Sequence, residues 1–370
     1  GRPHDSLRFL FASCQNWQSG YWPLWAHAPS DEPDVVLHLG DYIYEGGISA
    51  GGVRRHNSAE IRDLAAYRNR YGLYKGDPAL QAAHAACPWI VTWDDHEVEN
   101  NYADLVQQIP GEDPDFAARR AAAYQAWWEH MPVRMLPAVG ADLTIYRSFD
   151  WGTLARFHIL DTRQYRDPQA CGGSLAPSCP ERTLPDRTLL GPDQEAWLGQ
   201  GLASSRATWD VLANQVVMTS MPFAGQFYNP DQWDGYAAAR ARVLQQVTDA
   251  HVDNLVVLTG DIHAAGIAEL VGENPDGTPS TVALGTEFVG GSISSTFDPA
   301  LADIAEELIR QLPHVRFADT HTRGYMVCDA TADELVTRYQ VVESTLVPES
   351  PVTTASTWVT TAGTPGVQPA

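Results

Sequence analysis

The chain has 370 residues, 44% of them hydrophobic and 19% charged, enough to bury a large core and too apolar on average for a disordered chain. Its 24 Lys and Arg against 46 Asp and Glu give a formal charge of −22, which repels nucleic-acid phosphates and anionic membranes at long range. No apolar run reaches the length of a membrane span, and the opening Gly1-Arg2-Pro3-His4-Asp5 is not a signal peptide, so the chain is expected to be cytosolic or a mature form whose leader is gone.

Arg8–Cys14 is a short apolar run that stops at a polar cluster, and Asp34–Gly40 is a second, ending in Asp41 and Tyr42. Ser58–Tyr74 is amphipathic behind a Ser-x-Glu start and is expected to be helical. Trp89–Trp93 is a third buried strand, ending in Asp94-Asp95-His96-Glu97. Asp115–Met131 reads as helix, and Leu143–Trp151 with Thr153–Asp161 as a hairpin. Asp167–Arg187 reads as a long loop. Within it Cys171 and Cys179 flank a Gly/Pro/Ser-rich stretch, expected to close as a disulfide in an oxidising compartment, the alternative being two free surface thiols. Cys87 and Cys328 lie in apolar contexts and are expected in the core.

Asp193–Ser204 and Gly235–Ala250 read as helices, Asn254–Gly260 as a strand ending in Asp261-Ile262-His263, and Pro299–Gln311 as a helix. Gly324–Cys328 and Glu334–Val342 form a second hairpin pattern. Residues 1–346 are expected to form one catalytic domain and 347–370 a loosely ordered Thr/Pro-rich tail. Alternating strands and helices give an α/β fold, and the hairpins make its sheets mixed rather than all-parallel.

In open α/β sheets, ligands bind beyond the carboxyl ends of the strands. Here the ends carry Cys14, Asp41 with Tyr44 shortly after, Asp95 with His96, and Asp261 with His263. A lone Asp in such a place is usually a cap or turn former. Carboxylates, imidazoles, a thiol and a phenol together point instead to a multi-metal site. Such a site suits phosphate esters, where cations neutralise the anion, activate water and stabilise the leaving oxygen. His96 is a metal ligand, a phosphate-contacting acid or a satisfied core residue, and the phosphate role is preferred. Arg163 follows Asp161 at a strand end, where it either clamps phosphate oxygens or pairs with a carboxylate. His321 and Arg323 are placed at the pocket rim, and His38 in the hydrogen-bonded core.

These motifs resemble the calcineurin-like metallophosphoesterase pattern, with departures. The first strand ends in Ala12-Ser13-Cys14-Gln15 instead of Asp-x-His, and the third motif is Thr92-Trp93-Asp94-Asp95-His96-Glu97 instead of Gly-Asn-His-Glu. Gly40-Asp41-Tyr42-Ile43-Tyr44-Glu45 and Thr259-Gly260-Asp261-Ile262-His263 supply the other two. With Tyr67-Arg68-Asn69-Arg70-Tyr71, Glu99-Asn100-Asn101-Tyr102, Leu160–Arg166, Leu212–Val216 and Asp231–Tyr236, the departures are similar to the PhoD-type alkaline phosphatase family from about Phe9 to Val342. The resemblance implies a four-layer αββα fold in which mixed sheets are sandwiched by helices. It also implies ferric iron and calcium, with Cys14, Asp41 and Tyr44 on iron, Asp41 bridging, Asp95, Asn100 and Asp261 on calcium, and His263 on either. Thiolate and phenolate suit a ferric ion, and calcium prefers oxygen. Members of the family generally carry a β-rich domain and a twin-arginine signal before the catalytic domain, neither of which this chain contains. A secreted or periplasmic enzyme is therefore expected, with its iron loaded before export of the folded protein.

The leading expectation is a phosphomonoesterase with some phosphodiesterase activity, monomeric and acting on small phosphate esters. A phosphodiesterase or phospholipase D-like enzyme of the same family is the first rival, and Phe223–Trp233 would give it apolar surface or serve as a lid. A non-catalytic, metal-stabilised binding protein is the second. A serine-nucleophile phosphatase is disfavoured because no Asp-Ser-Ala elbow is present, and a cysteine phosphatase because no Arg follows Cys14 at the required loop spacing.

Overall fold

The computed structural model describes residues 5–173, 179–223, 226–227, 229–274 and 278–370. In chain order, the first half contains β1 (Ser6–Ala12), α1 (Pro23–His27), β2 (Val35–His38), α2 (Leu64–Lys75), α3 (Pro78–Ala86), β3 (Trp89–Val91), α4 (Phe116–His130), β4 (Arg147–Trp151) and β5 (Ala155–Ile159). The second contains α5 (Gly191–Ser204), β6 (Trp209–Ala213), α6 (Ala237–Asp249), β7 (Leu255–Thr259), β8 (Ala265–Glu273), β9 (Pro279–Gly290), α7 (Ala302–Arg310), β10 (Val315–Asp319), β11 (Arg323–Thr331), β12 (Glu334–Val342), β13 (Val352–Thr361) and β14 (Gln368–Pro369). They build two seven-stranded sheets, ordered β14-β13-β12-β11-β1-β2-β3 and β10-β8-β9-β7-β6-β5-β4.

Side-chain alternation sorts residues into layers. From β1, Leu7, Phe9 and Phe11 face inward, where Phe157, Val211, Val256, Ile267 and Phe288 of the second sheet meet them in the central core. Leu10 and Ala12 face outward onto aromatics around α2 and α4, including Tyr67, Tyr71, Tyr124 and Trp127. On the far side, Leu212 and Val257 pack against Leu198 of α5 and Val243 of α6. Helix, sheet, sheet, helix is the expected four-layer order, and both sheets are mixed.

Register positions the site. Ala12 pairs with His38, and His38 with Val91, so the parallel strands β1, β2 and β3 end at one level. The segments leaving them stay joined, Cys14 N donating to Gly40 O at 3.2 Å and Gln15 N to Asp41 O at 3.1 Å. The second sheet reaches the same edge through Ile293 N, which donates to Ser13 O at 3.0 Å.

Two expectations are corrected, and one element is added. The Ser58–Tyr74 helix starts at Leu64, because Asp63 caps it by accepting from Ala66 N, while Glu60 is drawn into ion pairs with Arg62 and Arg119. Pro78–Ala86, for which no element was expected, is a helix capped by Asp77. The segment 347–370 is not a loose tail: β13 pairs with β12 from Glu334↔Thr361 to Val342↔Val352, and Trp358 is buried against the central core. His38 is core as expected, its ring stacked with Trp25 and Trp89 and its Nδ1 accepting from Gly40 N, but its Nε2 has no hydrogen-bond partner among the described residues.

Candidate metal centre

The ends of β1, β2 and β7 deliver their polar side chains through an unusual backbone. Cys14, Asp41, Asp261 and His263 have φ of 58°, 56°, 64° and 57°, a left-handed region that non-glycine residues avoid at a cost of roughly 1 kcal/mol or more each. Strain repeated at this one edge marks a place where side-chain direction is fixed against local preference. Two glycines let the loops converge: a Cβ on Gly40 would collide with the Asp94 backbone, and one on Gly260 with the Ser13 side chain.

The converging donors form three overlapping groups, each with ligand atoms within 4.8 Å of one another: Cys14, Asp41 and His263; Asp41, Asp95 and His96; and Asp94, Asp95 and Asp261. Asp41 belongs to the first two, and its buried Oδ1 has no hydrogen-bond partner among the described residues. Tyr44 joins the first group, its Oη 2.9 Å from Asp41 Oδ2 and 3.1 Å from His263 Nε2. The donor set fits metal ions: sulfur, phenol, imidazole and carboxylate on one side, carboxylates on the other.

Electrostatics agree. Burial, with Asp41 beside it, pushes the Cys14 thiol well up, and burial likewise raises the Tyr44 phenol. Burial raises Asp94, and lifts Asp261 to about 6, although Arg163 opposes both. Crowded, desolvated acids of this kind call for cations.

Arg163, expected either to clamp phosphate oxygens or to pair with a carboxylate, lies among four carboxylates. Its fully buried guanidinium reaches Asp94 Oδ1 at 2.5 Å, Asp231 Oδ1 at 2.9 Å, Asp261 Oδ1 at 3.1 Å and Asp95 Oδ2 at 3.7 Å. It holds carboxylates from three segments together. His96 is partly exposed, its Nδ1 2.7 Å from Glu45 Oε2 and its ring tilted by 31° against Tyr44 with centroids 4.0 Å apart. Burial disfavours the charged imidazole, but Glu45, Asp95 and Asp41 outweigh it and hold the ring protonated well above its ordinary range. Asn100 is half-buried, and its side-chain amide donates to Gln108 Oε1 at 2.7 Å. Arg323 donates to His263 O at 3.0 Å, while His321 is exposed and paired with Asp303. Of the aromatic stretch Phe223–Trp233, residues 224, 225 and 228 lie outside the described residues.

Sequence reading missed several members. Asp94 was passed over for its neighbour Asp95, though the tandem acids were the available signal. Glu97 accepts from the backbone N–H groups of Asp41, Tyr42 and Asp94 at 3.0, 2.7 and 2.9 Å, binding the second and third motifs together. Asp231 holds Arg163 and Arg166, and Gln232 donates to Asp261 Oδ2 at 2.6 Å. Cys171 and Cys179 form the expected disulfide. Among the described residues, no helix is long and apolar enough to cross a membrane.

Comparison with known proteins gives this geometry its relatives. The chain is 44% identical over 365 residues to alkaline phosphatase D of Bacillus subtilis (strain 168), an alignment covering 95% of this chain and 62% of that protein. It also superposes on a solved structure of PhoD with a TM-score of 0.91 and 41% identity, covering all of this chain and 72% of the other. The family model for PhoD-like phosphatases matches residues 9–339, which include every strand end that carries the candidate ligands. The chain therefore belongs to the PhoD-like phosphatase family.

Proposed function

We propose that the protein hydrolyses phosphate esters, chiefly monoesters with some diester activity, releasing inorganic phosphate. The observation that carries this is Asp41, a buried carboxylate shared by two donor groups of different chemistry at one strained sheet edge. Cys14, Asp41 and Tyr44 would hold ferric iron, Asp95 and Asp261 calcium, and His263 either, with Asp94 an added calcium donor; Asn100 would join the calcium side through its amide oxygen. When bound, the cations would supply charge neutralisation for the phosphoryl group and an acidified water.

The chain's own residues do the rest. His96, held protonated by Glu45, is placed to donate a proton to the departing oxygen or a hydrogen bond to the phosphoryl oxygens. Arg163 keeps Asp94, Asp95 and Asp261 in fixed positions by pairing with them. Glu97 fixes the loops that carry Asp41 and Asp94. The disulfide supports a secreted or periplasmic location, which we assign together with export of the folded protein.

The test compares hydrolysis of an aryl phosphomonoester and a bis-aryl diester before and after calcium chelation. Faster monoester turnover, lost on chelation and restored by calcium, is expected. Diester preference would replace the assignment with a phosphodiesterase, and absence of turnover on both would remove the enzymatic reading.

A further inference from the structure

The segment after β9, Gly291-Ser292-Ile293-Ser294-Ser295-Thr296, carries no charged side chain and no metal-ligand signature. Yet it wraps the sulfur- and phenol-bearing half of the site from behind. Ile293 N donates to Ser13 O, and Ser294 N and Ser295 N both donate to Cys14 O, at 3.3 and 3.2 Å. Ser292 Oγ donates to Ser295 O at 2.5 Å, and Gly324 N donates to Ser292 O at 2.9 Å, tying the loop to itself and to β11. Thr296 O lies 3.2 Å from His263 Nδ1; a carbonyl only accepts, so Nδ1 carries the hydrogen and Nε2 presents its lone pair toward Tyr44 Oη, 3.1 Å away. Ser295 Oγ lies 2.6 Å from Tyr44 Oη, and Ser295 is 1% exposed.

Hydrogen-bond accounting fixes the direction of that last contact. The single Tyr44 hydrogen is taken by one of two groups that can only accept, Asp41 Oδ2 at 2.9 Å or the unprotonated His263 Nε2 at 3.1 Å. Ser295 Oγ already accepts from Asn16 N at 3.3 Å. The Ser295 hydroxyl hydrogen therefore points at the phenol oxygen, and it remains there when the phenol loses its own hydrogen on binding a metal.

We propose that Ser295 is a positioning residue for Tyr44: its hydroxyl donates to the phenolate oxygen, orients the ring and tempers its electron donation to the metal. This rests on the ferric reading of the Cys14–Asp41–Tyr44 group. Outer hydrogen bonds orient ligands and set their basicity. A hydrogen bond to a phenolate lowers its filled orbitals and so raises the energy of charge transfer into a ferric ion. Removing the donor narrows that gap.

The test reads colour rather than activity. The iron-loaded protein is expected to show a visible phenolate-to-iron band that Tyr44→Phe abolishes. Ser295→Ala is expected to move that band to longer wavelength with iron content unchanged, while Ser295→Thr, which keeps the hydroxyl, holds it at the wild-type position. A wild-type band that Ser295→Ala leaves in place overturns the proposal and spares the ferric reading. A wild-type protein with no Tyr44-dependent band overturns both. Should Ser295→Ala fail to fold, resonance Raman of the wild type in H2O and D2O reads the same contact. A shifted phenolate C–O stretch supports the donor, and an unshifted one overturns it.

Discussion

Asp94, Asp95, Asp231 and Asp261 close on the guanidinium of Arg163, which is fully buried. Removing one partner of a buried charge cluster typically costs about 3–5 kcal/mol, because the remaining charges stay desolvated and unpaired. Arg163→Met is expected to lose about that much in metal-free protein, measured by chemical denaturation. The loss should shrink in saturating calcium, since a bound cation neutralises the same carboxylates; an equal loss with and without calcium would contradict this account of Arg163. At this scale the sequence was informative wherever the side chain itself announces chemistry. Cys14, Asp41, Tyr44, Asp95, Asp261 and His263 stand at strand ends, and the fold gathers them. Glu97 and Ser295 were illegible because their work is done toward backbone N–H groups and a phenol on other segments. Glu97 stands in the third motif with no role legible there, and nothing in the local sequence of Ser295 separates it from a loop serine. Arg163 was left between two roles, and only the positions of four carboxylates from distant segments decide between them.

Elements followed the same logic. Runs such as Val35–His38 and Leu255–Thr259, buried at every position, were readable as strands because parallel strands covered on both faces are continuously apolar. β13 was not, because Val352–Thr361 is Thr- and Ser-rich and alternates only weakly, with Trp358 and Thr360 its buried residues. Its partner β12 supplies the missing information, and pairing overrides propensity. Helix α2 was read too long because Ser58 and Glu60 imitate a start that Asp63 provides. Trp358 fills the core near Phe317 and Tyr339. Trp358→Ala is therefore expected to cost about 3 kcal/mol in denaturant unfolding, with no change in metal content. A neutral result would mean that β13 is an ornament rather than part of the sheet.

For the whole molecule, the decisive feature is that two sheets end together. Three level parallel strands of one sheet and β7 of the other deliver their ligands to one edge, so a chain of net charge −22 concentrates acids where cations can compensate them. The four-layer architecture and the family were legible because the strand-end motifs occur in order along the chain. How the donors divide between two ions was not legible, since it depends on side-chain positions that only the folded loops set. The direct measurement is anomalous diffraction from crystals of the protein purified with its native metals, with data at the iron absorption edge. An iron peak is expected, enclosed by Cys14, Asp41 and Tyr44, with Asp41 also reaching a second, non-iron peak beside Asp95 and Asp261. An iron peak among Asp94, Asp95 and Asp261, or no metal at Cys14, would contradict it.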